Sequence, residues 1–293
     1  MNAKALYTRP LDDFIGQDGP PVFVMDTLVQ GPVGKHDHSF TEIVVVFSGE
    51  GRHREGGDTW DLSRGDVFTV PVGRSHSYYD VHELHLVNIL VDLEQLRSSL
   101  AALREAPGFR ALLSLEPAAR ARTGRNCRLR LTNRELGHAR ALIAAMGEEQ
   151  DGASSGYQAM VVGLFLQLLT LLVRSYGRSP GQRPRALVRI SDLLGHLDAH
   201  YAEPTTLAAM AQRAGMSSRS LTRIFRDLLD NSPTQYLLEL RLAKACDLLR
   251  TRPELNVTEI GLMVGFNDGA YFSRRLSRHM GLPPLCWRKE NQI

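Results

Sequence analysis

Arg219 and Arg223 stand four residues apart, a spacing that puts both guanidinium groups on one face of a helix. A guanidinium fork matches guanine O6 and N7 together, so this pair has the chemistry to read bases in a major groove. The competing use is phosphate, which takes most protein–DNA hydrogen bonds and fits Arg226 and Arg278 better. Ser218, Ser220 and Thr222 lie on the same turns, and Asp268, Gly269, Ala270, Ser273, Arg274 and Arg278 form a second candidate set further along. Asp268 equally suits a helix N-cap, while Gly269 and Ala270 carry no side-chain donor, so the second set contributes more backbone affinity than base choice.

Residues 207–280 supply the elements that position these groups, because one helix-turn-helix pattern is written there twice. L-A-A-M-A-Q-R-A-G-M-S starts at Leu207 and V-T-E-I-G-L-M-V-G-F-N at Val257. Each copy has one apolar helical face, a small residue where a second helix crosses (Ala211, Gly261) and a glycine at the turn (Gly215, Gly265). Thr206 and the Asn256/Glu259 capping box start the first helices, and Ser217 and Asn267 are placed to cap the second ones, which carry Arg219, Arg223 and Arg226 or Arg274, Arg275 and Arg278. Ser232-Pro233 opens a connecting helix whose Tyr236, Leu237, Leu240, Leu242, Ala243, Ala245, Leu248 and Leu249 read as a buried rod. Rigidity matters, since two helices enter successive major-groove segments on one face only when held about 34 Å apart.

The pattern 211–225, S-P-x-x-Y at Ser232, R-L-x-x-A-x-x-L-L at Arg241 and G-F-x-D-x-x-Y-F-S-R at Gly265 resembles the AraC-type transcription regulators over roughly the last hundred residues. The resemblance implies sequence-specific binding of double-stranded promoter DNA, usually with activation of transcription. Departures are mild: Asp230 replaces a usual glycine, Leu276 a common phenylalanine, and L-P-P-L at 282–285 a simpler turn. Ile224, Phe225, Phe266, Tyr271 and Phe272 read as core.

Charge divides the chain. From Gly181 onward sixteen Lys and Arg face eleven Asp and Glu, a balance of +5 within a chain total of +3, which leaves −2 for the first 180 residues. R-S-P-G-Q-R-P-R at 178–185 reads as a linker, so the expected domains are 1–177 for effector binding and dimerisation and 186–293 for DNA binding. Cys127, Cys246 and Cys286 lack close metal-type spacing and are odd in number, which fits a reducing cytoplasm. No signal-peptide pattern opens the sequence, and its most apolar run, 161–173, is too short to span a membrane.

The first half carries β signals at Phe23 (F-V-M-D-T-L-V-Q), Glu42 (E-I-V-V-V-F), Gly51 (G-R-H-R-E), Asp66 (D-V-F-T-V-P) and His85 (H-L-V-N-I-L-V), punctuated by glycines. Helical patterns follow at 93–103, 133–150 and 157–176. The expected class is therefore α+β: an antiparallel β-barrel with flanking helices, then an all-α domain of two helix-turn-helix units joined by a long helix.

His36-x-His38-x-x-x-Glu42 followed by Gly49, and Gly65 with Pro71-x-Gly73-x-x-His76, are similar in spacing to the two cupin motifs. That resemblance implies His36, His38, Glu42 and His76 as a three-histidine, one-carboxylate site for divalent zinc, iron, manganese or nickel. His36 and His38 share a face on a strand, and Glu42 joins them if the strand is unbroken. The alternative is a metal-free barrel in which the same groups hydrogen-bond an effector. The segments from Lys35 to Val46, Gly49 to Arg54 and Leu62 to Val67 are also similar to the rhamnose-responsive branch of the AraC family, which implies a small sugar, a deoxyhexose among the candidates. The candidate effector residues are His36, His38, Glu42, Arg52, His53, His76 and Tyr78.

The apolar helix at 157–176, with Val161, Leu164, Phe165, Leu168, Leu169, Leu171 and Leu172, either covers the barrel or pairs two subunits; the family resemblance implies a homodimer. Effector binding would then shift a population between arrangements that differ in operator engagement or RNA polymerase contact. No separate acid, base or nucleophile constellation appears, so the chain reads as a regulator and not an enzyme. The alternative is a metal-dependent cupin enzyme with a DNA-binding tail.

Overall fold

Two long strands, β4 (Thr41–Glu55) and β7 (His76–Val91), pair antiparallel along their length and organise the first half of the chain. A computed structural model describes residues 7–10, 12–15, 19–27, 30–123, 128–178 and 182–291, and the chain divides into two units, 1–191 and 192–293. The first part of β4 pairs with β6 (Asp66–Val70) and its second part with β5 (Asp58–Leu62). Similarly, β7 pairs with β3 (Val33–His38) at one end and β2 (Val22–Thr27) at the other. The outer strands β1 (Tyr7–Arg9) and β8 (Leu129–Arg130) join β3 and β6, and only the β1–β3 pairing is parallel among the described residues.

The long hairpin has to bend to serve both halves of this eight-stranded sheet. Its register shifts three times between Val46 and Arg52, and at the bend Gly49 has φ +74°. A Cβ there would lie 2.1 Å from the Glu83 carbonyl oxygen, so both the conformation and the approach require glycine. The bend lets the sheet close over Val44, Val46, Leu62, Phe68, Val70, Tyr78, Leu84 and Leu86, which is the barrel interior the strand patterns predict. The opposite parity of β4 is buried as well, with Phe47 lying beneath Arg140 at 4.4 Å. Burial on both faces explains the unbroken apolar run E-I-V-V-V-F.

The expected strand at 23–30 is β2, with Leu28 and Val29 outside the described residues, and the separate strands at 42–47 and 51–55 are one. The helix expected at 93–103 is a series of turns followed by α2 (Ala101–Arg104). A further helical stretch went unread: α3 (Pro107–Arg110), a π-helical turn (Ala111–Leu115) and α4 (Glu116–Thr123). A short α1 (Asp12–Ile15) lies near the start.

A capping box between Thr132 and Glu135 starts α5 (Asn133–Gly152). It packs against α6 (Tyr157–Arg178), whose Val161, Phe165, Leu168, Leu169 and Leu172 are buried. The apolar run 161–173 is part of the longer α6, which as a whole is long and apolar enough to cross a membrane by length and composition alone. Its contacts with α3, α5 and β2 make it a core helix of the unit.

Next comes α7 (Gln182–Ala199), which begins inside the segment expected as a linker; Arg178 closes α6, and 179–181 lie outside the described residues. In the second unit α8 (Leu207–Arg213) and α9 (Ser218–Leu229) form one helix-turn-helix, and α11 (Val257–Met263) and α12 (Gly269–Met280) the other. The connector is α10 (Pro233–Thr251), and α13 (Pro284–Asn291) follows. The caps form at Thr206, Ser217, Ser232 and Asn256 as read, and Asp230 ends α9 with φ +57°. Asn267 is not a cap. Asp268 takes that place, accepting from the Tyr271 N–H.

On α10 Leu242, Ala245 and Leu249 are buried with Ile260, Val264, Phe266, Phe272 and Leu276, but Ala243 is exposed. Tyr271 is 43 % exposed, so it is not a core residue as read; its ring lies against Phe266 and Arg275. At Gly261 an added Cβ would meet the Phe272 ring at 2.7 Å, the close helix crossing expected of a small residue. Cys246 and Cys286 are free thiols, and Cys127 lies outside the described residues.

Candidate effector site and nucleic-acid interface

Alternation along the strands decides which polar groups enter the barrel. On β4 Gly51, His53 and Glu55 point inward, while Arg52 and Arg54 point out. Arg52 is therefore not an effector residue: its side chain is half exposed and pairs with Asp61 at 3.0 Å, which corrects the sequence reading. On β7 His76 and Tyr78 are inward, and β3 brings His36 into register with His76. The strand does not run unbroken from His36 to Glu42. A bend at Ser39 and Phe40 separates β3 from β4, yet Glu42 still reaches the same interior.

His38, Glu42 and His76 each offer a ligand-type atom, and these atoms lie within 4.8 Å of one another. His38 Nδ1 lies 2.6 Å from the Phe40 carbonyl oxygen, with its ring stacked on Phe40. Burial lowers its pKa to about 4, with the Phe40 carbonyl opposing, so the ring is neutral at pH 7. His76 Nδ1 and His53 Nε2 lie 3.0 Å apart, and His76 Nε2 is 3.8 Å from a Glu42 carboxylate oxygen. His53 is completely buried among the rings of Trp60, Phe68 and Tyr78, and that burial, reinforced by His76, pushes its pKa well down. His36 lies beside His76 but outside the group of three. It is only half-buried, its Nδ1 lies 3.0 Å from the Gly34 carbonyl, and its ring centre is 4.3 Å from that of His76.

A second buried cluster adjoins His53 and has no counterpart in the sequence reading. Arg120, 2 % exposed, reaches Glu55 at 3.0 Å and Glu116 at 3.4 Å, donates to the Thr69 carbonyl at 2.6 Å and lies 4.8 Å from the Trp60 ring centre. Burial raises the pKa of both carboxyl groups, against the pull of the guanidinium. The Tyr78 hydroxyl and the Trp60 indole N–H are buried without a hydrogen-bond partner in the protein. Polar groups and aromatic faces thus meet in the interior of the sheet. The available signal was the Glu116/Arg120 spacing of four, which on its own describes an ordinary surface ion pair.

In the second unit α9 buries Leu221, Phe225 and Leu228 and exposes Arg219, Arg223 and Arg226 on the other face. Ser218, Ser220 and Thr222 lie beside them in one groove, although the Thr222 hydroxyl donates to the Ser218 carbonyl. On α12 Gly269, Ala270, Arg274 and Arg278 are exposed and Ser273 is half-buried. The Asp268 carboxylate is committed to its helix cap. Arg275 turns back to Gln235 on α10 at 3.3 Å and is not a free contact. Arg241, also on α10, donates to the carbonyls of Tyr201, Glu203 and Gly265 and so ties the entry to α8 to the turn of the second motif.

The helix-turn-helix domain family matches residues 210–290, and the AraC-like ligand binding domain family matches residues 30–169. The HTH-type transcriptional activator RhaR of Escherichia coli K12 is 31 % identical over 281 residues, covering 96 % of this chain and 95 % of that protein. The chain belongs to the AraC family of transcription regulators. RhaR of Shigella boydii serotype 4 matches at the same identity and coverage. Among solved structures, an AraC-type DNA-binding regulator from Chromobacterium violaceum is 30 % identical over 39 % of this chain and 96 % of its own, with a TM-score of 0.34. This AraC-family protein is a DNA-binding transcription regulator with a ligand-binding domain, and not an enzyme.

Proposed function

We propose that this regulator is a cytoplasmic activator that binds a small neutral sugar, a 6-deoxyhexose in class, inside its barrel and recognises its operator through α9 and α12. The observation that carries the effector reading is the enclosed lining of His38, Glu42, His53, His76 and Tyr78, continued by Glu55, Arg120 and Trp60. Glu55 and Glu116 face the Arg120 guanidinium, Glu42 lies beside His76, and the nearby Arg128 is paired with Asp66, so this interior has no surplus positive charge to hold an acidic ligand, which favours a neutral sugar over a uronate or a sugar phosphate. RhaR's description as an activator supports the direction of control, with RNA polymerase as the downstream partner.

Base reading falls mainly to Arg219 and Arg223, with Arg226, Arg274 and Arg278 on phosphate. We also propose a homodimer, which would present two copies of the reading heads to a repeated half-site. Most of the apolar face of α6 is internal, so the paired surface is the groove between α5 and α6 lined by His138, Leu166, Gln167, Thr170 and Leu171.

Operator selection from random DNA with the purified chain, with and without a panel of neutral sugars that includes L-rhamnose, tests this reading. The expected result is an enriched motif whose occupancy changes with one sugar. Enrichment of no motif under any condition, with binding governed by salt alone, would instead describe a nonspecific DNA-coating protein.

A further inference from the structure

His196 and His200 stand four residues apart at the end of α7, so their rings share one face of the helix. Leu193, Leu194 and Leu197 are buried on the same turns, which leaves His196 half-buried and His200 exposed. The His200 N–H donates to the His196 carbonyl at 2.9 Å, which keeps the helical spacing one residue beyond Ala199. The two ring centres are 4.4 Å apart, with 32° between their planes. Two imidazoles bound at right angles to one ion, with metal–nitrogen bonds of about 2.0–2.1 Å, place their centres roughly 4.5 Å apart. The pair is therefore already spaced as a chelate.

The His200 Nδ1 lies 2.8 Å from a Glu203 carboxylate oxygen. A carboxylate can only accept, so the neutral ring carries its hydrogen on Nδ1 and its lone pair on Nε2. A carboxylate behind a histidine is the arrangement that fixes ring and tautomer in metal-bound imidazoles. Among the described residues none hydrogen-bonds the His200 Nε2 or either nitrogen of His196. Asp192, one turn before His196, pairs with Arg213 at 3.6 Å and offsets its charge. Just beyond His200, Arg241 holds the carbonyls of Tyr201 and Glu203 and joins them to Gly265. An ion on the pair closes the last turn of α7 onto the segment that this guanidinium fastens to the second reading motif.

We propose that His196 and His200 chelate one divalent transition-metal ion of the copper or nickel type through their Nε2 atoms, with Glu203 orienting His200 and water completing the coordination, and that the ion stabilises the DNA-binding unit. The site shares no residue with the barrel, so it stands independently of the effector reading.

Copper(II) titration of the full-length protein at pH 7, in wild type and in His196→Ala, His200→Ala and Glu203→Ala, tests the site. Each histidine variant is expected to bind one equivalent fewer than wild type, whatever the barrel histidines take up. One electron paramagnetic resonance component, split by two nitrogens, should vanish from both. Glu203→Ala should keep the equivalent with affinity lowered about 10-fold. Copper at about 100 times its Kd should raise the folded-to-unfolded ratio of the DNA-binding unit about 100-fold. This is read in urea as a higher midpoint for the transition that Arg241→Ala lowers, and His200→Ala should abolish the rise. Wild-type stoichiometry in either histidine variant overturns the chelate, because the pair must act together. Undiminished affinity in Glu203→Ala overturns the orienting role, and an unmoved midpoint with the equivalent bound overturns the stabilisation.

Discussion

The Arg241 guanidinium donates to the Gly265 carbonyl at 2.9 Å, joining the middle of the connecting helix to the turn of the second reading motif. The same group donates to Tyr201 at 2.6 Å and Glu203 at 2.9 Å, just before the first motif. One planar fork thus fixes three carbonyls, and Gly265 itself is so close to Ala202 that a Cβ would lie 2.3 Å from its oxygen. Arg241→Ala is expected to destabilise the DNA-binding unit by about 2–3 kcal/mol, the scale of charge-assisted hydrogen bonds lost from partly buried carbonyls. Arg241→Lys should recover little, because an ammonium cannot reproduce the fork. Urea unfolding measures the first effect. An unchanged midpoint in the Ala variant would mean that apolar packing alone sets the geometry.

Arg219→Ala should leave stability unchanged, since the side chain is exposed on α9. On an operator the loss is expected at one base position, with discrimination there falling by about 1–3 kcal/mol. Selected-site sequencing of wild type and variant measures it. An equal loss on every sequence, together with a salt slope reduced by about one, would reassign Arg219 to phosphate.

The helix-turn-helix units were legible because their signals are local: a cap, a glycine turn and an apolar face all lie within about a dozen residues. The two-residue period of strands puts His53 on the face opposite Arg52 and Arg54, but which face is the interior is not legible in the sequence, so Arg52 and His53 both enter the set of effector candidates. What stayed hidden depends on contacts remote in sequence. Glu55 and Arg120 meet across 65 positions, and nothing near either residue announces a buried ion pair. His36 shares β3 with His38 and yet falls outside the group of His38, Glu42 and His76, being only half-buried with its Nδ1 on the Gly34 carbonyl, although spacing alone groups all four. Asn267 and Asp268 are both good caps, and choosing between them takes a backbone angle that composition does not encode.

Arg120→Met removes the cation between Glu55 and Glu116 while keeping much of the side-chain volume. Two buried carboxyl groups then lack their counter-ion, and a loss of about 3–5 kcal/mol is expected, read by urea unfolding of the full chain. Adding Glu55→Gln and Glu116→Met to the same chain should restore most of it. If the single variant unfolds like wild type, the cluster is not a structural element of the barrel.

Glu135 links the start of α5 to the end of α6, accepting from Thr132, from Ser175 at 2.7 Å and from Arg178 at 3.0 Å. Partial burial works to raise its pKa, but the hydrogen bonds from Ser175, Thr132 and Arg178 outweigh it and bring the value down to about 2 from 4.5. The folded state therefore releases this proton more readily than the unfolded chain. Its stabilisation is complete above pH about 4.5 and disappears as pH falls through about 2. Arg178 is 65 % exposed, so solvent screening reduces the contribution to roughly 1–2 kcal/mol. Glu135→Gln should lower the thermal midpoint at pH 7, with the difference from wild type shrinking between pH 4.5 and pH 2. A difference that stays constant over that range would assign the effect to lost α5 capping geometry and not to the carboxylate charge.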